Sequence, residues 1–262
     1  MNTRYKIIIL VLVILYIIFC ENDYLTYYKY AILPKRAVSS NKIKKILIGL
    51  PVIDRDSDIC DNVYNCIEES KKIILEKYNI EFEYIIVTRT TDKKCIKYWK
   101  NKGKLIIIDS YEIKNRHNWD KVTETFNIIR QNSFSYDALL IVESDILLNK
   151  DTILKLYEKI NKYHIVCSYF ETPWCKYPAI IIDGLYPRQV NARYYNNNLI
   201  LGHGTGCILI RTEVFKKCDF NNKTFFDITG QDVGFFLSVF KNRYTTFLIN
   251  DEVKHLYNRS IN

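Results

Sequence analysis

Ala138-Leu-Leu-Ile-Val-Glu-Ser-Asp-Ile146 opens with five apolar residues and stops at two carboxylates. An apolar run of this length, bounded by polar residues, predicts a buried strand. Glu143 and Asp145 are two apart, so an extended backbone projects both to one side. In an open α/β sheet, ligands bind just beyond the carboxyl ends of the strands. A carboxylate pair placed there suits a hard divalent cation, which can in turn hold phosphate oxygens. The competing reading is a strand followed by a solvated acidic turn.

The surroundings extend this strand into a series. Lys45-Ile-Leu-Ile-Gly-Leu50 reads as a strand stopped by Pro51, and Asp61 to Tyr78 as a helix with Ser57 or Asp58 near its start. Glu83–Thr88 and Lys104–Asp109 read as further strands, with a short helix from Asp92 to Asn101 between them. Asn118 can cap a helix bearing Val122, Phe126 and Ile129 on one face, and Asp151 one bearing Ile153, Leu154, Tyr157 and Ile160. His164–Tyr169 suggests another strand. The alternation predicts an α/β domain over 45–262, a mainly parallel sheet with helices on both faces. Phe170 to Leu201 reads as a long irregular loop, a kind that is usually functional.

Ahead of this domain, Ile7 to Cys20 is an uninterrupted apolar run preceded by Arg4 and Lys6 and followed by Glu21 and Asp23. Its length as a helix, roughly 21 Å, falls short of a ~30 Å hydrocarbon core, although Tyr5, Tyr24 and Leu25 can extend it. Tyr16-Ile-Ile-Phe-Cys20 offers no small-residue cleavage site, which favours an uncleaved signal anchor over a cleaved signal. The expected organisation is a transmembrane segment over 1–21, a stem over 22–44, a cytoplasmic N-terminus and an extracytoplasmic or lumenal domain. The net charge of +9 is spread through the chain without a long basic block, which argues against nucleic acid as a partner. The eight cysteines contain no C-x-x-C pair; Cys207 with Cys218, or Cys60 with Cys66, are possible disulfides. Asn222-Lys-Thr224 and Asn258-Arg-Ser260 match the glycosylation pattern.

No P-loop, H-E-x-x-H or G-x-S-x-G motif occurs. Gly202-His-Gly-Thr-Gly206 precedes a strand-like run, Cys207-Ile-Leu-Ile-Arg211, and not a helix, so it is no dinucleotide fingerprint. It reads instead as a tight turn where backbone approaches a ligand. Gly230-Gln-Asp-Val-Gly-Phe-Phe-Leu237 puts Asp232 at the start of an amphipathic helix, and His255 follows a strand at 244–249.

In this order the features resemble the GT-A glycosyltransferases, particularly their family-2-like group, over about residues 45–258. Glu143-Ser144-Asp145 is similar to the Asp-x-Asp signature with Glu in first place. Gly204–Arg211 is similar to the glycine turn and strand of that family, and Gly230-Gln231-Asp232 stands where it has Glu-Asp. The resemblance implies a membrane-anchored enzyme moving a sugar from a nucleotide-sugar donor to a hydroxyl on a glycan, protein or lipid, with inversion. It implies Mn²⁺ or Mg²⁺ held by Glu143, Asp145 and His255, with the imidazole tilting the preference to Mn²⁺. Asp232 becomes the general base. Pro51, Val52, Thr88, Arg89 and Ser144 become the donor-binding residues, and His203, Gly204 and Trp174 the acceptor or phosphate loop. Trp174, with Tyr169 and Tyr177, suits either a sugar platform or core packing. Two other readings remain open: a non-catalytic nucleotide- or glycan-binding protein of the same fold, which Gln231 and Glu143 permit, and a nucleotidyltransferase, for which Leu50-Pro-Val-Ile-Asp-Arg55 lacks the glycines.

Overall fold

The computed structural model describes residues 34–109, 118–170, 179–183, 186–190, 198–221, 223–225 and 228–256. The chain divides into two compact units, Met1–Lys35 and Arg36–Asn262. The expected anchor, Trp174, Tyr177 and the acceptor asparagines of both glycosylation motifs, Asn222 and Asn258, fall on positions outside the described residues. Among the described residues, no helix is long and apolar enough to cross a membrane.

Eight strands form the main sheet. In chain order they are β1 (Lys45–Pro51), β2 (Glu81–Arg89), β3 (Lys104–Ile108), β4 (Ala138–Val142), β6 (Ile165–Tyr169), β9 (Asn198–Ile200), β11 (Cys207–Arg211) and β14 (Thr246–Glu252). Their spatial order is β3-β2-β1-β4-β11-β6-β14-β9. β3, β2, β1 and β4 are mutually parallel, β6 and β14 are parallel, and β11 and β9 run antiparallel to their neighbours. The expectation of a mainly parallel sheet therefore holds.

Alternating side chains feed two cores, as the pleat requires. Ile46, Ile48, Leu50, Leu140 and Val142 face one side, with α1 (Cys60–Leu75), α2 (Lys93–Trp99) and α4 (Thr152–Ile160). Leu47, Ile85, Leu139 and Ile141 face the other, with α3 (Asn118–Asn132) and α5 (Gln231–Lys241). Helices thus cover both faces, which explains why the strands read as nearly continuous apolar runs. The two sides also account for the cysteines. Cys207 packs in the first core and Cys218 in the second, across the sheet from each other, and both are free. Cys60 and Cys66 are free too; the Cys66 thiol donates to the Val63 carbonyl and accepts the Leu148 N–H.

Three expectations need revision. The stretch after Phe170 is not wholly irregular: β7 (Ala179–Asp183) and β8 (Tyr186–Val190) form an antiparallel pair, and β10 (Gly202–His203) joins β7. Ala179-Ile-Ile-Ile carries the β-branched run such a strand needs, and Pro187 sits in the outer strand of the three, the place in a sheet where proline is tolerated. Asp151 stands at the N-cap of α4 but makes no side-chain capping bond; it pairs with Lys155 instead. Finally, the compact unit begins at Arg36, within the expected stem. Arg36 bonds the Asn242 carbonyl, and buried Arg211 donates to the carbonyls of Ser39 and Asn41. His164 is held within the fold: its Nδ1 accepts the Thr245 N–H and its Nε2 meets the Ala37 carbonyl.

Candidate active site

β4 ends at Val142, and the chain turns at once. The Glu143 N–H is satisfied by the Gly206 carbonyl, and the Ile146 N–H closes the turn onto the Glu143 carbonyl. The next two residues form β5 (Ile146–Leu147), which pairs antiparallel with β15 (Lys254–His255). The Leu256 N–H donates to the Asp145 carbonyl at 2.8 Å. Upstream, Asp251 ties the end of β14 to the start of α4 through Thr152 at 2.6 Å and Lys155 at 2.8 Å. These bonds carry His255 to the acidic turn from over a hundred residues away in sequence. Its Nε2 lies 3.5 Å from Asp145 Oδ2. Glu143, Asp145 and His255 each offer one ligand atom, and those atoms lie within 4.8 Å of one another.

The electrostatics match a site built for a cation. Burial, with the neighbouring Asp145 charge, pushes the Glu143 carboxyl up to about 8, against a bond from the Thr205 hydroxyl. Burial also raises Asp145, against the opposing pull of His255 and Arg55. His255 is shifted downward by burial, so the neutral, metal-binding form of the imidazole is favoured. Two carboxylates and one imidazole are a donor set that suits a divalent ion such as Mn²⁺, and the carboxyls, raised by burial first and by neighbouring negative charge second, are ones that such an ion would hold ionised.

Asp232 occupies the first turn of α5, where the helix dipole favours a carboxylate. Burial nevertheless raises its pKa, and its charge is one of those lifting Glu143, so the two face one region. Gln231 beside it is buried, with no partner for its Oε1 among the described residues. The glycine turn borders Glu143 through the Gly206 carbonyl and the Thr205 hydroxyl. A Cβ at Gly206 would sit 2.8 Å from Phe170 Cζ, and one at Gly204 3.0 Å from it. The missing side chains at Gly204 and Gly206 therefore make room for the Phe170 ring. Phe170 also meets the His203 ring edge-on at 4.8 Å and stacks on His255 at 5.8 Å. His203 is buried, bonded through Nδ1 to the Gly204 carbonyl, and pushed down to about 4, hence neutral.

The expected donor-binding residues lie at the ends of β1 and β2. The Val52 N–H bonds the Val87 carbonyl, and the Val52 side chain is buried in the core, leaving its backbone and Pro51 at the strand end. Arg89 makes a two-point contact with Asp92, Nε–Oδ2 at 2.7 Å and Nη2–Oδ1 at 2.9 Å, and Thr88 joins at 3.4 Å. Burial raises Asp92, but these bonds and the Asp54 N–H outweigh it and leave its pKa lowered.

Four residues were not singled out from sequence: Arg55, Asp56, Thr205 and Phe170. Asp56 is buried in the short helical turn Asp54–Ile59 that follows β1. Its Oδ2 accepts the Ser144 hydroxyl at 2.6 Å, and its Oδ1 the Arg55 Nε at 3.0 Å. Arg55 Nη2 also reaches Asp145 Oδ2 at 3.2 Å. The only sequence signal was Asp54-Arg-Asp-Ser-Asp58, a charge-rich turn like any solvated one.

No protein-family model and no curated protein matches the sequence. Solved structures do. A structure of GalNAc-T7 with UDP, GalNAc and Mn²⁺ superposes with a TM-score of 0.54 at 12% identity, covering 85% of this chain and 45% of that one. The mannosyltransferase PcManGT of Pyrobaculum calidifontis, solved with GDP-Man and Mn²⁺, gives 0.49 at 12% identity over 91% of this chain and 64% of that one. TarS from S. aureus gives 0.49 at 14% identity, over 80% and 60%. At such identities the likeness is one of fold.

Proposed function

We propose that this chain is a divalent-cation-dependent glycosyltransferase that moves a sugar from a nucleotide-sugar donor to an acceptor hydroxyl with inversion. The observation that carries the reading is the convergence of Glu143, Asp145 and His255 at the carboxyl end of β4. The fold shared with GalNAc-T7, a structure holding UDP and Mn²⁺, supports it. When bound, Mn²⁺ or Mg²⁺ supplies Lewis-acid stabilisation of the departing diphosphate. Glu143, Asp145 and His255 are the residues to hold it. Ser144, Pro51, the Val52 backbone, Thr88 and Arg89 border the donor. Asp232 takes the proton of the acceptor hydroxyl, and its upward shift makes it a better base at neutral pH. His203, neutral and fixed, and Gly204 shape the acceptor side together with Trp174. The acceptor is a glycan, protein or lipid. Residues 1–21 anchor the domain to a membrane, with the N-terminus cytoplasmic.

Asp232→Asn separates the base from the binding residues. Turnover is expected to fall by about 10²-fold or more while binding of Mn²⁺ and nucleoside diphosphate persists. Weakened donor binding with unchanged turnover would make Asp232 a binding residue, and a product of retained anomeric configuration would exclude inversion.

A further inference from the structure

We propose that Arg55 is a built-in counter-cation: it neutralises Asp145 when no metal is bound and turns to the donor's diphosphate when a metal takes its place. The proposal rests on the reading of Glu143, Asp145 and His255 as a cation site.

Four carboxylates crowd this end of the sheet. Glu143 feels Asp145 and Asp232, and Asp145 feels Asp56. Arg55 sets its guanidinium against two of them, Asp56 through Nε and Asp145 through Nη2. The Asp145 oxygen it reaches, Oδ2, is also the one facing His255. A metal ion ligated by that oxygen competes directly with the guanidinium. The two anchors differ in kind. Asp56 is held by Ser144, and its side chain is only 3% exposed, whereas the Arg55 side chain is 62% exposed. Arg55 can therefore leave Asp145 without crossing packed side chains, and its stem stays rooted beside the carboxylates. A planar guanidinium with several donors suits diphosphate oxygens, to which it bonds more strongly than to neutral acceptors. Its link to Asp145 is one contact at 3.2 Å between an exposed guanidinium and a largely buried carboxylate, so the arginine is the partner free to exchange.

Opposite signs at two ligands are the test. Mn²⁺ binding is measured by electron paramagnetic resonance without nucleotide, and binding of UDP and GDP by calorimetry at saturating Mn²⁺. Arg55→Gln removes the competitor, so Mn²⁺ alone should bind about two- to fivefold more tightly. The same variant should bind the preferred nucleoside diphosphate about tenfold more weakly. Arg55→Lys keeps the charge and should leave Mn²⁺ affinity within about twofold of wild type. An Arg55→Gln affinity for Mn²⁺ equal to or below wild type would overturn the proposal, as would an equal gain in both variants or unchanged nucleotide binding. Wild-type protein that binds no Mn²⁺ would defeat the cation site itself, a failure distinct from Mn²⁺ binding without the sign reversal.

Discussion

Glu143→Gln should stabilise the metal-free protein at alkaline pH. In the folded chain the Glu143 carboxyl is pushed from an ordinary 4.5 up to about 8, by burial first and by Asp145 second. A carboxyl with a raised folded pKa favours the folded state when protonated. Its contribution is complete below the unfolded value and is lost as pH rises through the folded one. The gap between 4.5 and about 8, at about 1.36 kcal/mol per pH unit, sets a ceiling of roughly 4–5 kcal/mol. Side-chain relaxation and water entry reduce it, and about 2 kcal/mol is the expected loss in wild type between pH 5 and pH 8.5. The glutamine amide keeps the shape and can still accept from Thr205, but it cannot ionise. Urea unfolding in the presence of chelator reads the difference as a midpoint shift of roughly 0.5–1 M. A residual slope from Asp145 and Asp232, whose pKa values are also raised, should survive in the variant. Mn²⁺ at about a hundred times its Kd should restore roughly 2.7 kcal/mol to wild type at pH 8.5. Parallel pH profiles for the two proteins would refute the reasoning, because Glu143 would then carry no excess charge energy.

Other consequences follow from the packing. Gly234→Ala would drive a Cβ into the Asn221 carbonyl, and overpacking of this kind should cost about 1–3 kcal/mol in unfolding experiments. A shortened protein beginning at Arg36 should fold with full stability. One beginning at Lys44 loses the Ser39 and Asn41 carbonyls that satisfy buried Arg211, and should melt lower by at least about 2 kcal/mol. Equal melting of the two would mean that residues 36–43 contribute nothing to the fold.

The acidic turn was legible because Glu143 and Asp145, two apart at the end of an apolar run, project to one side of an extended backbone, and the downstream motifs then set it apart from a solvated turn. His255 was reached only through the resemblance, since pairing of β15 with β5 leaves no trace in local sequence. Arg55 and Asp56 escaped notice because a charged turn after a strand is ordinary; only its contact with Ser144 and Asp145 gives it meaning. The glycine turn was located from sequence, but its packing partner was not. Glycine marks a close approach without saying to what, and the partner, Phe170, lies more than thirty residues upstream. The β7–β8 pair was hidden by Pro187 within it and Pro178 just before it, since prolines mark loops when only local sequence is read.

The central claim is that Asp145 and its neighbours hold a cation that activates a nucleotide-sugar donor. Release of nucleoside diphosphate from a panel of nucleotide sugars tests it most directly, with wild type and Asp145→Ala each assayed with Mn²⁺ and with chelator. At least one donor should be cleaved by wild type with Mn²⁺, and that activity should vanish on chelation and in a folded Asp145→Ala variant. Cleavage that survives chelation, or an Asp145→Ala variant with near wild-type rates, would contradict the claim.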